Sequence, residues 1–340
     1  MPLPPQPFPP ARARPQPSVG LLPSKDESLE SFIFRLARIR RVEAPSRLAS
    51  RTCMPNPWTR VTLDGLMSLA AEADVPMESL MPLWRGNPDD PFVLFWNSRL
   101  PLGALDWRIT SGRKVCPACL HEAGRHLAVW DLSFISACPV HRARLVDTCP
   151  SCDSALTWRG SEVTRCGCGV GGDLTRIWAE PVSPEQAHAT ACVQGLLGDE
   201  RFAAEAAVVR ALPPFQAMVP NAVIEFLFRL GLEATATRPR RYFFGFERMG
   251  DYDVPSHEVL AQSLAAVRDW PAGFHAVLDH LRRRHVTDLR VATQKVTESI
   301  VRWATPLPRG GGKEVLSAVT EWRRAARLLP GYVPLVRRPG

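Results

Sequence analysis

No stretch of this 340-residue chain supplies the ~20 consecutive apolar residues that a membrane-spanning helix requires, so no membrane partner is expected. The segment before residue 21 also lacks a continuous apolar core. It holds eight prolines and almost no large apolar side chains, which excludes a secretory signal and predicts a disordered, proline-rich tail over 1–22. A cytoplasmic, nucleoid-associated location is the expectation. Catalytic motifs are missing too. Gly310-Gly311-Gly312-Lys313-Glu314 fails as a phosphate loop because the required first glycine falls at Leu307 and Glu314 stands where Ser or Thr would hold magnesium. No nucleophile elbow, dinucleotide fingerprint or metalloprotease motif occurs. An enzyme is not expected; a nuclease would need a carboxylate cluster assembled only in three dimensions.

Hydrophobic content of 45% against 22% charged is ordinary globular usage, so most of the chain has the means to bury a core without help from metal. Charge is distributed unevenly. Residues 1–60 carry ten Lys and Arg against four Asp and Glu, and residues 281–340 carry thirteen against four, which leaves the middle net acidic. Basic ends suit a protein that meets polyanions there, although a solvated arginine-rich surface has the same composition. Arg38, Arg40 and Arg41 at one end, and Arg282, Arg283 and Arg284 at the other, are the candidate contacts for nucleic acid or a partner.

Cysteine is nearly absent outside one window: seven of nine lie between Cys116 and Cys168. They come as short pairs, Cys116-Pro-Ala-Cys119, Cys138-Pro-Val-His141, Cys149-Pro-Ser-Cys152 and Cys166-Gly-Cys168. Four pairs make two tetrahedral sites. Zinc takes four Cys or His ligands, and a tight turn lets two thiolates converge on one ion near backbone amides. Disulfides fit poorly with a reducing compartment and with the Cys-x-Cys spacing. Sequential pairing gives Cys116, Cys119, Cys138 and His141 one ion, and Cys149, Cys152, Cys166 and Cys168 another, with loops of eighteen and thirteen residues between the pairs. A cross-braced arrangement is the alternative. His121 and His126 stand at no knuckle spacing, and Cys53 and Cys192 read as buried thiols. With four protein ligands per ion no position stays open for water, so two structural zinc ions are expected rather than a catalytic one. A deaminase needs His-x-Glu, whereas Glu122 follows His121 directly.

The flanks read as helical. Ser28 to Arg41 sets Leu29, Phe32, Ile33 and Leu36 on one face and arginines on the other. Thr62 to Ala73 and Met77 to Leu83 read as helix, turn, helix, a unit that packs more often than it reads DNA. Ser183-Pro184-Glu185 starts a helix. Further helices are expected over Asn221 to Leu232, Ser256 to Trp270, Ala272 to His285, Asp288 to Trp303 and Lys313 to Leu329, with Trp270, Trp303 and Trp322 as packing anchors. The fold expectation is mainly α with small zinc-ribbon or zinc-finger β elements. It comprises a helical domain over 23–110, a double zinc-finger region over 111–180 and an all-helical domain over 181–340.

The order of these pieces resembles the TniQ family of transposition proteins. The resemblance rests on Asp26-Glu27-Ser28-Leu29-Glu30-Ser31-Phe32 with Arg35-Leu36-Ala37, on Cys116-Pro-Ala-Cys119-Leu120-His121-Glu122, on Trp130 and on the remaining knuckles. It continues through Gly169, Asp173-Leu174 and Trp270-Pro271-Ala272-Gly273-Phe274. Two residues more than the family pattern separate Cys168-Gly169 from Asp173-Leu174, which alters a loop but no ligand. The resemblance implies a target-selection adaptor that couples recognition of an insertion site to a TnsC-like AAA+ regulator and through it to the transposase complex. Recognition would come from a Cascade-like CRISPR effector or another targeting factor, with the adaptor a possible homodimer. Longer TnsD-like relatives read target DNA themselves; at this length, recognition through protein partners is the expectation, and the alternative is a sequence-specific zinc-containing DNA-binding protein that reads the target site itself through the Thr62 to Leu83 helices or the basic C-terminal segment.

Overall fold

Ser28 opens the first helix by accepting the Ser31 backbone N–H on its hydroxyl, and α1 follows over Leu29–Ile39. The structure, a computed structural model, describes residues 21–52, 61–96, 98–101, 112–168, 170, 172–235, 254–284, 289–305, 307 and 311–328. Cys53, Gly310, the side chain of Arg284 and nearly all of the proline-rich tail lie outside the described residues.

After α1 come α2 (Pro45–Arg51), α3 (Leu63–Ala73) and α4 (Met77–Leu80). Thr62 caps α3 through the Gly65 N–H, and Asp74 ends it in the left-handed conformation two residues before Pro76. The second helix of the expected pair is a single turn, continued by a 3-10 turn over Met81–Leu83. Leu66, Leu69, Leu80 and Leu83 join Leu29, Phe32, Ile33 and Leu36 in a small core of their own.

Helix α1 is not one-sided. Phe34 belongs to a second, larger core, and Glu30 and Ser31 are buried with it. That larger core starts at an antiparallel hairpin, β1 (Phe92–Phe95) with β2 (Ser98–Pro101), and passes through α5 (Pro117–Ala123). The strands β3 (Ala137–Cys138) and β4 (Ala143–Arg144) pair beside it. It then continues into α6 (Pro184–Leu197), α7 (Ala203–Arg210), α8 (Pro220–Thr235), α9 (Ser256–Arg268), α10 (Ala272–Arg284), α11 (Leu289–Ala304) and α12 (Lys313–Ala326). Among the described residues the chain is mainly helical with two small sheets. None of these helices is long and apolar enough to cross a membrane.

Ser183 starts α6 with a full capping box to Gln186, just before Pro184 at the first helical position. Trp303 and Trp322 are buried, and Phe226 gathers Trp303, Trp270 and Phe274 around its ring. Trp130, Phe134, Val193, Phe226 and Val259 all lie in that one cluster, so the cysteine region shares its core with the helices that follow.

Candidate metal centres

Val115 exchanges both backbone hydrogen bonds with Val146, at 2.9 and 2.8 Å, and this bridge places Cys116 beside the β3–β4 hairpin. Pro117 then starts α5, so Cys116 is its cap and Cys119 lies in its first turn. Both sulfurs sit at the amide end of the helix, where unsatisfied N–H groups favour thiolate. Gly124, in the left-handed conformation at φ 62°, ends the helix within two turns. From the opposite side the hairpin brings Cys138 at the end of β3 and His141 in the turn before β4.

The four donor atoms converge. Cys119 Sγ stands 3.5 Å from Cys138 Sγ and 3.1 Å from His141 Nδ1, and His141 Nδ1 lies 3.5 Å from Cys116 Sγ and 3.7 Å from Cys138 Sγ. A tetrahedron of sulfur and nitrogen around zinc has edges on the order of 3.5 to 3.8 Å, given Zn–S near 2.3 Å and Zn–N near 2.0 Å. The other ring nitrogen of His141 meets Glu122 Oε1 at 3.0 Å. Glu122 follows Cys119 by three residues on α5, so the helix that supplies two sulfurs also holds the imidazole with Nδ1 turned inward.

The chemistry of the donors fits a cation. The sulfurs of Cys116 and Cys138, together with burial, push the Cys119 thiol up, while contacts from Cys116 and Cys119 hold Cys138 down. Three crowded sulfurs cannot all ionise on their own account. A divalent ion among them removes the conflict.

The second group is built from loops. Cys149 N–H donates to the Ser154 carbonyl at 2.9 Å, and Asp153 N–H returns to the Cys149 carbonyl at 2.8 Å with Asp153 at φ 55°. Cys166 N–H donates to the Gly172 carbonyl at 3.0 Å, and its sulfur stands 4.0 Å from that of Cys152. Gly167 between the last two ligands is required by space, since a Cβ there would collide with the Arg159 carbonyl. Cys149 is buried, whereas Cys152, Cys166 and Cys168 are partly exposed. Within each group all four donor atoms lie within 4.8 Å of one another, which is the sequential arrangement rather than the cross-braced one.

The remaining candidates are scattered. Arg38, Arg40 and Arg41 are exposed at the end of α1, and Arg40 donates to the Glu72 carbonyl at 3.0 Å. Arg282 points inward, 2.9 Å from Asp279 with its guanidinium 5.7 Å from the Trp322 ring centre, while Arg283 beside it is exposed. His126, at no ligand spacing, is fully buried as a structural partner of α1. Cys192 is buried in α6. Sequence reasoning overlooked Glu122 as a support for His141; its position one turn beyond Cys119 was the available signal.

Residues 19–145 match the TniQ family model. The matched segment runs from before α1 through all four donors of the first centre and stops short of Cys149. No curated protein matches the chain.

Proposed function

We propose, from the match of residues 19–145 to the TniQ family model, that the chain is a non-enzymatic, target-selection adaptor for DNA transposition that carries two structural zinc ions. The observation that carries the reading is the extent of the family match, which covers the helical N-terminal unit and the first donor group together. Three thiolates with an imidazole, and four thiolates, are donor sets that select zinc among the common divalent ions. Each set is complete, so the metals would hold chain segments together rather than activate water.

The adaptor would engage a TnsC-like AAA+ regulator on one surface and a targeting factor on another. A Cascade-like CRISPR effector is one candidate for the latter, and the transposase complex would be recruited through the regulator onto target DNA. The large core shared by the cysteine region and the C-terminal helices supports this reading, because two partner surfaces coupled through one core keep a fixed relation. Co-purification of the full chain with a TnsC-like regulator, in reducing buffer and with zinc retained, tests it. Capture of the regulator that is lost on chelation supports the adaptor; no capture of any AAA+ regulator while zinc is fully retained overturns it.

A further inference from the structure

We propose that the end of the C-terminal bundle where α10 and α12 finish is a surface for duplex DNA, gripping phosphates without reading sequence. The two helices lie side by side and point the same way. His275 Nε2 meets the Ala318 carbonyl at 2.8 Å, and one turn further the Trp322 indole N–H donates to Asp279 Oδ1 at 2.8 Å. Both contacts join residues 43 positions apart. That constant offset carries the last turn of α10 alongside the last turn of α12, which puts Arg283 at the level of Ala326 and Arg327 along the pair. Helix α11 packs on both.

Arg283, Arg323, Arg324 and Arg327 are all exposed there. None of the four has a carboxylate partner among the described residues. The nearest exposed carboxylate on α12, Glu321, contacts Ser317 at 3.5 Å. Beneath them Arg282, Asp279 and Trp322 lock the two helix ends together, so the exposed guanidinium groups stand on a rigid base.

Cations at helix C-termini also answer the helix dipole. Two such ends supply only about half a negative charge each, which balances roughly one of the four guanidinium groups. The surplus positive charge faces solvent. An acidic protein is the other polyanion to weigh, but a protein interface has an apolar centre, and among the described residues the exposed large apolar side chain next to these arginines in the chain is Leu328 alone. Guanidinium forks match phosphate oxygens in pairs. Helix axes roughly 8–10 Å apart span about two to three nucleotide steps of one strand.

This surface is where the proposed adaptor would touch target DNA, but the inference needs neither the AAA+ contact nor the metal centres. The experiment therefore uses the full zinc-loaded chain alone, with labelled short duplexes of two unrelated sequences titrated across ionic strength. The expected result is equal binding to both duplexes with a steep salt dependence. In R283A/R323A/R324A/R327A the affinity should fall at least about tenfold, and the log–log salt slope should become shallower by about 3 to 4 units. The same four positions changed to lysine should keep most of the binding, and R38A/R41A, at the opposite basic end, should keep it as well. Zinc content and near-ultraviolet dichroism confirm that each variant is folded. Wild-type affinity in the four-alanine variant overturns the proposal, as does an equal loss in the lysine variant. Preference for a polyglutamate peptide over duplex at the same ionic strength also overturns it.

Discussion

Ser28 and His126 are clasped at two points: the Ser28 backbone N–H donates to the His126 carbonyl at 3.0 Å, and the Ser28 hydroxyl meets His126 Nδ1 at 3.1 Å. Ser31 adds a third contact by accepting the His126 N–H on its hydroxyl at 3.0 Å. On the far side His126 Nε2 reaches the Lys114 carbonyl at 2.9 Å, and the ring lies edge-on to Trp130 and Trp158. Around this clasp Asp26 contacts Arg125 at 3.3 Å, and buried Glu27 pairs with Arg35. The run Asp26 to Ser31 thus works as the joint between α1, the first metal centre and the larger core.

Removing the imidazole should loosen that joint. His126→Ala leaves the Lys114 carbonyl without its imidazole partner in a buried site, leaves the Ser28 hydroxyl only its bond from the Ser31 N–H, and opens a void against two indoles, a loss on the order of 2–4 kcal/mol. Ser28→Ala removes the helix cap and one side of the clasp, for about 1–3 kcal/mol. Denaturant midpoints give the magnitudes. Hydrogen exchange locates them, with α1 amides losing protection before those of α8.

The same histidine makes an acid-sensitive contribution. Burial, and then the neighbouring Arg113 and Lys114 charges, hold the His126 pKa well below its usual range. Above about pH 6.5 the folded and unfolded states are both neutral at this ring, so it adds no pH dependence. Below that, the unfolded chain takes up a proton that the folded chain refuses, and the contribution falls as pH falls. In ring-proton spectra His126 should show no titration step around the unfolded value of about 6.5; a step there would refute its burial as a neutral partner.

How legible this was follows from physical causes. The two donor groups could be read in full because knuckle spacing is a local property of the chain. Helix starts with caps, such as Ser28, Thr62 and Ser183, were equally local. The second face of α1 was not legible: Glu30 and Ser31 look like solvent positions until Asp131, Arg85 and His126 are brought over them by contacts far along the chain. Helices α2 and α7 have seven and eight residues, too few turns to show a period. Neighbouring arginines on α10 are about 100° apart around the helix, so the run of three could not show which one turns towards Trp322.

The two metal centres should differ in how firmly they hold zinc. Three of the first centre's donors are buried, whereas three of the second's are partly exposed. Wild-type protein is expected to carry two zinc equivalents and to release one faster to a chromophoric chelator. Cys166→Ser should abolish the fast phase and leave the global fold, while Cys119→Ser should abolish the slow phase and the protease resistance of the cysteine region. Gly167→Ala should act like Cys166→Ser, because displacing the Arg159 carbonyl moves both neighbouring sulfurs.

Glu122 supplies the next test, since its 3.0 Å contact to His141 Nε2 fixes which nitrogen faces the thiolates. Glu122→Ala should quicken release from the first centre roughly 10-fold or more and leave the second centre unchanged. Glu122→Gln keeps an acceptor without the charge and should fall between. Equal release rates in all three proteins would show that the imidazole is held by the hairpin turn alone.

Arg282 and Arg283 are adjacent in sequence and opposite in fate, and they should separate stability from surface charge. Arg282→Ala breaks the ion pair with Asp279 and the stacking on Trp322 where α10 meets α12, at a cost of about 1–3 kcal/mol. Arg283→Ala removes an exposed side chain and should move the melting temperature little, within the roughly 0.5 kcal/mol typical of surface changes. Thermal melts of the two variants check this directly. Similar destabilisation by both would mean that the helix ends are not locked as described, and the solvent face built on that lock would lose its rigidity with it.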